Sequence, residues 1–394
     1  MDYSPYDPAV QHNPFPHYRW MRDEAPVYHN EEVGFWALTR FDDVIRASME
    51  PNRFVSGMGM TIEGLDVAEG NDILINKDEP AHNWHRRLVS RVFTPLAVSA
   101  QEDTIRAIAR RMIGRVRGDG RMDVIQDLAL ALPVEVICEM LGIPEARRAG
   151  IHECSSRMLT MAADDGRPVV SADAREAQLA LGMTMYEVVA ERVEAPTDDI
   201  ISLLLASEVT DDDGDTWSLT PEQVTSRVTE LVIAGHETTA KLIGNMVVAL
   251  AWFPDERAKL VADPALIPLA VEEGLRWDGP SHYQGRWVHE EVTLHDVTIP
   301  AESRVILVTG AASHDDREFD HPELFSVERE ITRNVALGWG THLCIGQALA
   351  RLEARVVFEE LLAAIPEWDL ADGAVRATSG QVRGHEHLPI EFPA

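Results

Sequence analysis

Lysine is nearly missing: Lys77, Lys241 and Lys259 are the only three in 394 residues, so arginine supplies 32 of the 35 basic side chains. Positive charge as a whole is scarce, with 35 basic against 66 acidic residues and a net charge of −31. Phosphate backbones need clustered cations, so general nucleic-acid binding is excluded. Docking on anionic lipid is disfavoured for the same reason. Cysteine is scarce too. Cys138, Cys154 and Cys344 are too few, and odd in number, for a disulfide framework, and they fit a reducing cytoplasm. No apolar run approaches the ~18 residues of a membrane span. The start, Met1-Asp2-Tyr3-Ser4-Pro5, has neither the basic nor the apolar region of a signal peptide. Internal repeats and low-complexity linkers are absent. A cytoplasmic protein without a membrane segment is expected.

What the chain does have is a hydrophobic fraction of 45%, enough for a buried core. Apolar spacing predicts helices over 79–93, 99–117, 122–141, 172–193, 221–252, 264–277 and 345–365. Strand signals fall near both ends: a hairpin over 25–40, strands within 286–310, and a last one at Leu388-Pro-Ile-Glu-Phe. The expected class is mainly α with small β-sheets, a single large domain over residues 1–394. Segments 55–76 and 195–219 read as loops. The second carries Asp211-Asp-Asp-Gly-Asp, which lacks the bidentate Glu of a calcium loop and reads as a solvated acidic loop.

The helix from Pro221 has a clear start and stop. Thr220 is the N-cap, Gln223 closes a capping box, and Pro254 ends the helix. About 32 residues at 1.5 Å rise span roughly 48 Å, enough to cross a large domain. Its middle, Ala234-Gly235-His236-Glu237-Thr238-Thr239, breaks several rules at once. Mid-helix Gly weakens the helix, a buried Glu needs a partner, and paired threonines bond back to carbonyls. Such clustered violations mark candidate functional sites. An ordinary structural explanation is equally open: close helix packing at Gly235 and a Glu237–Lys241 pair at i,i+4. A zinc-protease helix is excluded because position 240 is Ala.

Near the C-terminus stands Leu337-Gly-Trp-Gly-Thr-His-Leu-Cys-Ile-Gly346, followed by a helix. A thiol at a helix N-terminus is favoured as thiolate, fit for a nucleophile, a redox thiol or a metal ligand. No second cysteine lies nearby for redox cycling. One thiolate in a glycine loop suits a single axial bond to heme iron. This loop resembles the heme-binding signature of the cytochromes P-450, Phe-Gly-x-Gly-x-His-x-Cys-x-Gly, departing only at Leu337. The resemblance extends through the chain. The 234–239 run is similar to the family's oxygen-activation motif, and Glu273 with Arg276 to its Glu-x-x-Arg. Arg329 resembles the third member of that structural network. His82 and Arg86 are similar to the His-x-x-x-Arg that holds heme propionates, with Arg286 and His342 as further partners. Ala234, Gly235, Leu337 and Gly338 would line the heme.

The resemblance implies the cytochrome P-450 fold, heme b bound through Cys344, and insertion of one oxygen atom from O2 into a largely apolar substrate. Glu237 and Thr238 would form an acid–alcohol pair that relays protons. Two electrons would come from NAD(P)H through a reductase and a ferredoxin, because the chain shows no flavin or ferredoxin segment. The missing Phe at 337 implies an altered sulfur environment and reduction potential. Lys241 would pair with Glu237 and hold it outward. Substrate contacts would come from Met58, Met60, Glu230, Ile233, Gln284 and His385, although an acid placed like Glu230 more often pairs with a neighbouring arginine. A peroxygenase of the same fold, a heme gas sensor and a helical interaction protein are the competing readings. The acid–alcohol pair favours monooxygenation over the first two, and the match at several motifs disfavours the third.

The acidity has two gaps. Residues 81–101 and 331–352 contain no Asp or Glu, yet they carry Arg86, Arg87, Arg91, Arg333 and Arg351. In the family these segments meet on the cysteine side of the heme. A basic face of Arg87, Arg91, Arg333 and Arg351 is therefore expected to steer an acidic ferredoxin.

Overall fold

The computed structural model describes residues 1–62, 72–158, 161–164, 167–210 and 214–394. The segments expected as loops, 55–76 and 195–219, lie partly outside them. A long helix, Pro221–Trp252, crosses the molecule. It begins as its cap residues dictate: Thr220 accepts from the Gln223 amide, and the Gln223 side chain accepts from the Thr220 amide. From Thr239 to Leu250 every residue is buried. Helix Glu102–Val116 packs on Gln347–Ala364, and Ala131–Met140, Ala172–Glu194 and Ile267–Asp278 pack on the long helix. One apolar cluster runs through this helical half.

The largest sheet has five strands in the order Val27–Asn30, Phe35–Leu38, Ser303–Leu307, Gln284–Val288 and Phe54–Val55. Ser303–Leu307 runs parallel to Phe35–Leu38, and the other pairings are antiparallel. The hairpin expected over 25–40 forms its first two strands, with Gly34 in the left-handed region at φ +83. Gln284–Val288 carries Arg286 to the centre of the molecule, where it pairs in register with Val305.

Three expectations need correction. The helix expected over 122–141 starts as a strand, Arg121–Asp123, passes through a π-helical turn, Ile125–Ala129, and becomes α only at Ala131–Met140. The cause is a distant strand, Pro389–Glu391, which pairs with it antiparallel. Asp123 then caps the new turn, accepting from the Ile125 amide at 3.1 Å and the Leu388 amide at 3.0 Å. Segment 195–219 is not all loop: it holds a helix, Ile200–Ala206, capped by Asp199, and a hairpin, Glu208–Thr210 with Thr216–Ser218. Helices Phe15–Glu24, Phe41–Met49, Glu145–Arg157 and Pro254–Ala262 were not expected either, the third being polar with little apolar periodicity. Among the described residues, no helix is long and apolar enough to cross a membrane.

Candidate active site

The cysteine loop is set by backbone bonds and two glycines. The Cys344 amide donates to Leu337 O at 2.9 Å, and the Gly338 amide to Val335 O at 2.9 Å. Gly338 and Gly340 adopt φ +76 and +68, and a Cβ on Gly340 would fall 2.4 Å from Ser48 O. The loop therefore needs glycine there. It delivers Cys344 just ahead of helix Gln347–Ala364, with Leu337 packed against the helical core.

Burial pushes the Cys344 thiol up, while the Gly346 amide, Arg86 and Arg351 pull it down. The balance is upward. The Gly346 amide at the helix start favours the thiolate, as expected, and burial outweighs it. Bonding to a metal ion would deprotonate it outright.

Four basic side chains converge beside the loop. His82 and Arg86 share a face of helix Ala81–Ser90, Arg286 comes from the sheet, and His342 from the loop. Arg86 donates to Leu343 O. The His82 and His342 rings lie 4.4 Å apart, centroid to centroid. His342 Nε2 lies 3.1 Å from Ser56 Oγ. Burial, then Arg286, His82 and Arg86, hold His342 well below the usual imidazole range. Burial lowers Arg286 to about 10, against the pull of Asp78. Asp78 is itself engaged, accepting from the Ser56 amide at 2.7 Å and the Gly57 amide at 2.8 Å.

Arg86 and Arg286 are cations disfavoured by burial, and the acid near Arg286, Asp78, is already engaged by two amides, which is costly. It calls for an anionic partner. Heme propionates supply that charge, and His82 Nε2 is buried there without a partner. On the other side, Ala234 and Gly235 are exposed in mid-helix, and a Cβ on Gly235 would meet nothing within 4 Å. The residues present therefore fit a heme between the long helix and Cys344.

On the long helix the motif does not interrupt the helical backbone. Thr238 is half-buried and donates to Ala234 O at 2.9 Å. Glu237 is half-buried, and burial raises its carboxyl, with Lys241 lowering it and Glu386 raising it. The expected Glu237–Lys241 ion pair does not form. Lys241 instead donates to His385 O at 2.8 Å, because the C-terminal turn packs against that helical face.

The other predicted positions divide. Glu273, fully buried, accepts from Arg276 Nε and Nη2 at 2.7 Å each, and Arg329 Nε stands 3.1 Å away. Arg276 also donates to Ser313 O and Pro322 O, pinning the segment before the cysteine loop. Glu230 is withdrawn from substrate binding. Its carboxylate accepts from the Leu74 and Ile75 amides at 2.9 and 3.2 Å and from Arg227 at 3.0 Å. Ile233 is half-buried against the core and Met58 is largely exposed. Met60 presents its carbonyl to the Gly285 amide, and Gln284 Nε2 donates to Ser281. His385 is buried, with Nδ1 lacking a partner.

The basic face is also narrower than expected. Arg333 binds Glu318 and Asp42, and Arg351 binds Glu272. Acids from distant segments fill the gap that a local sequence window shows as acid-free. Arg87 and Arg91 are exposed, with no ion pair among the described residues. Sequence reasoning missed Ser56 and Glu353. The only local signal for Glu353 was an acid in an otherwise apolar helix face.

Comparison with known proteins agrees with this site. The family model described as cytochrome P450 matches residues 173–365. The chain is 37% identical to the vitamin D(3) 25-hydroxylase of Pseudonocardia autotrophica, over 96% of this chain and 93% of that one. It is 33% identical to cytochrome P450 107B1 of Saccharopolyspora erythraea, over 98% and 96%. The crystal structure of CYP109E1 from Bacillus megaterium in complex with testosterone superposes with a TM-score of 0.86 at 30% identity, covering 97% of this chain and all of that one.

Proposed function

Because this chain belongs to the cytochrome P450 family and is a heme monooxygenase, we propose that it hydroxylates a rigid, largely apolar substrate of sterol or secosteroid size, drawing electrons from a ferredoxin. The observation that carries the reading is the convergence of His82, Arg86, Arg286 and His342 beside the Cys344 loop.

His82, Arg86, Arg286 and His342 would hold the heme propionates by hydrogen bonds, charge-assisted for the two arginines, and Cys344 would hold its iron. The heme supplies thiolate-assisted cleavage of dioxygen, leaving one oxygen atom for the substrate and one for water. Thr238 stands one turn from Ala234 on the open face, where its hydroxyl can pass a proton into the cleft. Glu237, whose carboxyl burial raises against the opposing pull of Lys241, would replace the proton Thr238 gives up. Glu273 with Arg276 and Arg329 keeps the cysteine loop in place. Met58, Met60, Ile233, Gln284 and His385 remain the substrate-facing candidates. His385 Nδ1 can bind one polar group of an otherwise apolar molecule.

Sterol-sized substrates are proposed because one relative is a vitamin D(3) hydroxylase and a structural neighbour holds testosterone. Arg87 and Arg91, left unpaired, are the proposed entry face for an acidic ferredoxin. NAD(P)H and a reductase would recharge it. The three free cysteines support a cytoplasmic setting.

Spectral titration tests the substrate. Vitamin D3 and testosterone should each shift the ferric Soret band at micromolar concentration, while a straight-chain fatty acid should not. A response to the fatty acid alone would overturn the sterol assignment.

A further inference from the structure

Lys241 is 1% exposed and, among the described residues, has no carboxylate in contact, an expensive place for an ammonium. It lies on the long helix between Glu237, four residues before, and Asn245, four residues after. These three polar groups make one row against the C-terminal segment. Asn245 donates to Asp278 O at 2.8 Å and Arg383 O at 3.1 Å, and Lys241 donates to His385 O at 2.8 Å. Gly384 makes room for the lysine stem: a Cβ there would fall 2.5 Å from Lys241 Cδ. The ammonium is therefore built in, with its direction fixed.

Two acids flank it. Glu237 is on the cleft side, and Glu386, half-buried on strand His385–His387, is on the other. The remaining charged groups of the turn are committed elsewhere. Arg383 binds Asp278, which also meets His282, and His387 binds Asp123. Arg376 and His385 face each other from paired strands, and both are disfavoured as cations by burial. Of the charges near Glu237, Lys241 lowers its carboxyl and Glu386 raises it.

We propose that Lys241 is a positioning residue for Glu237: anchored on the His385 carbonyl, it holds a fixed positive charge behind the acid, so that Glu237 can give its proton to the cleft and take another from water on the Glu386 side. The inference rests on the acid role of Glu237 given above. It also links proton supply to the C-terminal turn, since a substrate that moves His385 would move the lysine's anchor.

The test is an infrared titration of the Glu237 carboxyl in the ferric holoenzyme, its band identified by loss in E237Q. The pH at which peroxide leak replaces product is the second readout. K241M removes the positive charge and should raise both midpoints by about one pH unit. E386Q removes the opposing charge and should lower them. K241R should restore the wild-type midpoint. Midpoints that stay put in K241M and E386Q, or move the same way in both, overturn the proposal. Should K241M not fold, E386Q at its half-buried site carries the test alone. If E237Q retains full coupling, the acid role fails, yet the infrared shift still reports whether Lys241 governs that carboxyl.

Discussion

Glu353, on helix Gln347–Ala364, is 2% exposed beside Thr239, and burial pushes its carboxyl up to about 8. Ordinary glutamate ionises near 4.3 in the unfolded chain. Neutral Glu353 thus adds nothing unfavourable below that pH. Between it and about pH 8 the unfolded state sheds a proton that the fold retains, so stability falls as pH rises. Glu353→Gln should remove this slope and gain a few kcal/mol over wild type at pH 8, roughly as linkage requires. Urea unfolding at several pH values checks it, and parallel curves would contradict it. At the same scale, Thr238→Ala should cut product per electron pair about tenfold or more, with peroxide taking the difference. An oxygen-electrode and peroxide assay reads that split. The motif residues were legible because their types break local rules: a thiol among glycines, an acid and two threonines in mid-helix. Ser56 and Glu353 were not, because their roles depend on His342 and Thr239, which are far away in sequence.

At the scale of elements, the long helix was readable to its ends because its signals are local: a capping box, a starting proline and a stopping one. The strand at Arg121–Asp123 was not, since its partner Pro389–Glu391 lies more than 260 residues on. Glu230 shows the same limit. Its place on the helix was read correctly, but the amides of Leu74 and Ile75 that occupy it come from another element. Those bonds tie the turn Leu74–Asn76 to the long helix, with Arg227 buried between Glu230 and Asp72. Glu230→Ala leaves Arg227 short of a partner and should cost roughly 3 kcal/mol, as for a broken buried pair. Amide exchange at Leu74 and Ile75 should speed up selectively, which hydrogen-exchange mass spectrometry resolves. Unchanged exchange there would show that other contacts hold the turn.

For the whole molecule, a net charge of −31 sets the long-range field, and its local exceptions decide where an acidic partner can approach. Four arginines were expected on that face, and pairing with Glu318, Asp42 and Glu272 leaves Arg87 and Arg91. Arg87→Glu should slow reduction by a ferredoxin roughly tenfold at low salt, and the difference should shrink as salt rises. Stopped-flow reduction measures both, and rates indifferent to either change would move the docking face elsewhere. The remaining claim is that the cationic cradle and Cys344 together hold a thiolate-bound heme. The carbon-monoxide difference spectrum of the dithionite-reduced protein reads that bond directly. We expect the long-wavelength Soret band of a heme with a thiolate ligand, lost in Cys344→Ala. A heme-loaded, folded protein that shows only the shorter-wavelength band of a neutral axial ligand would contradict it.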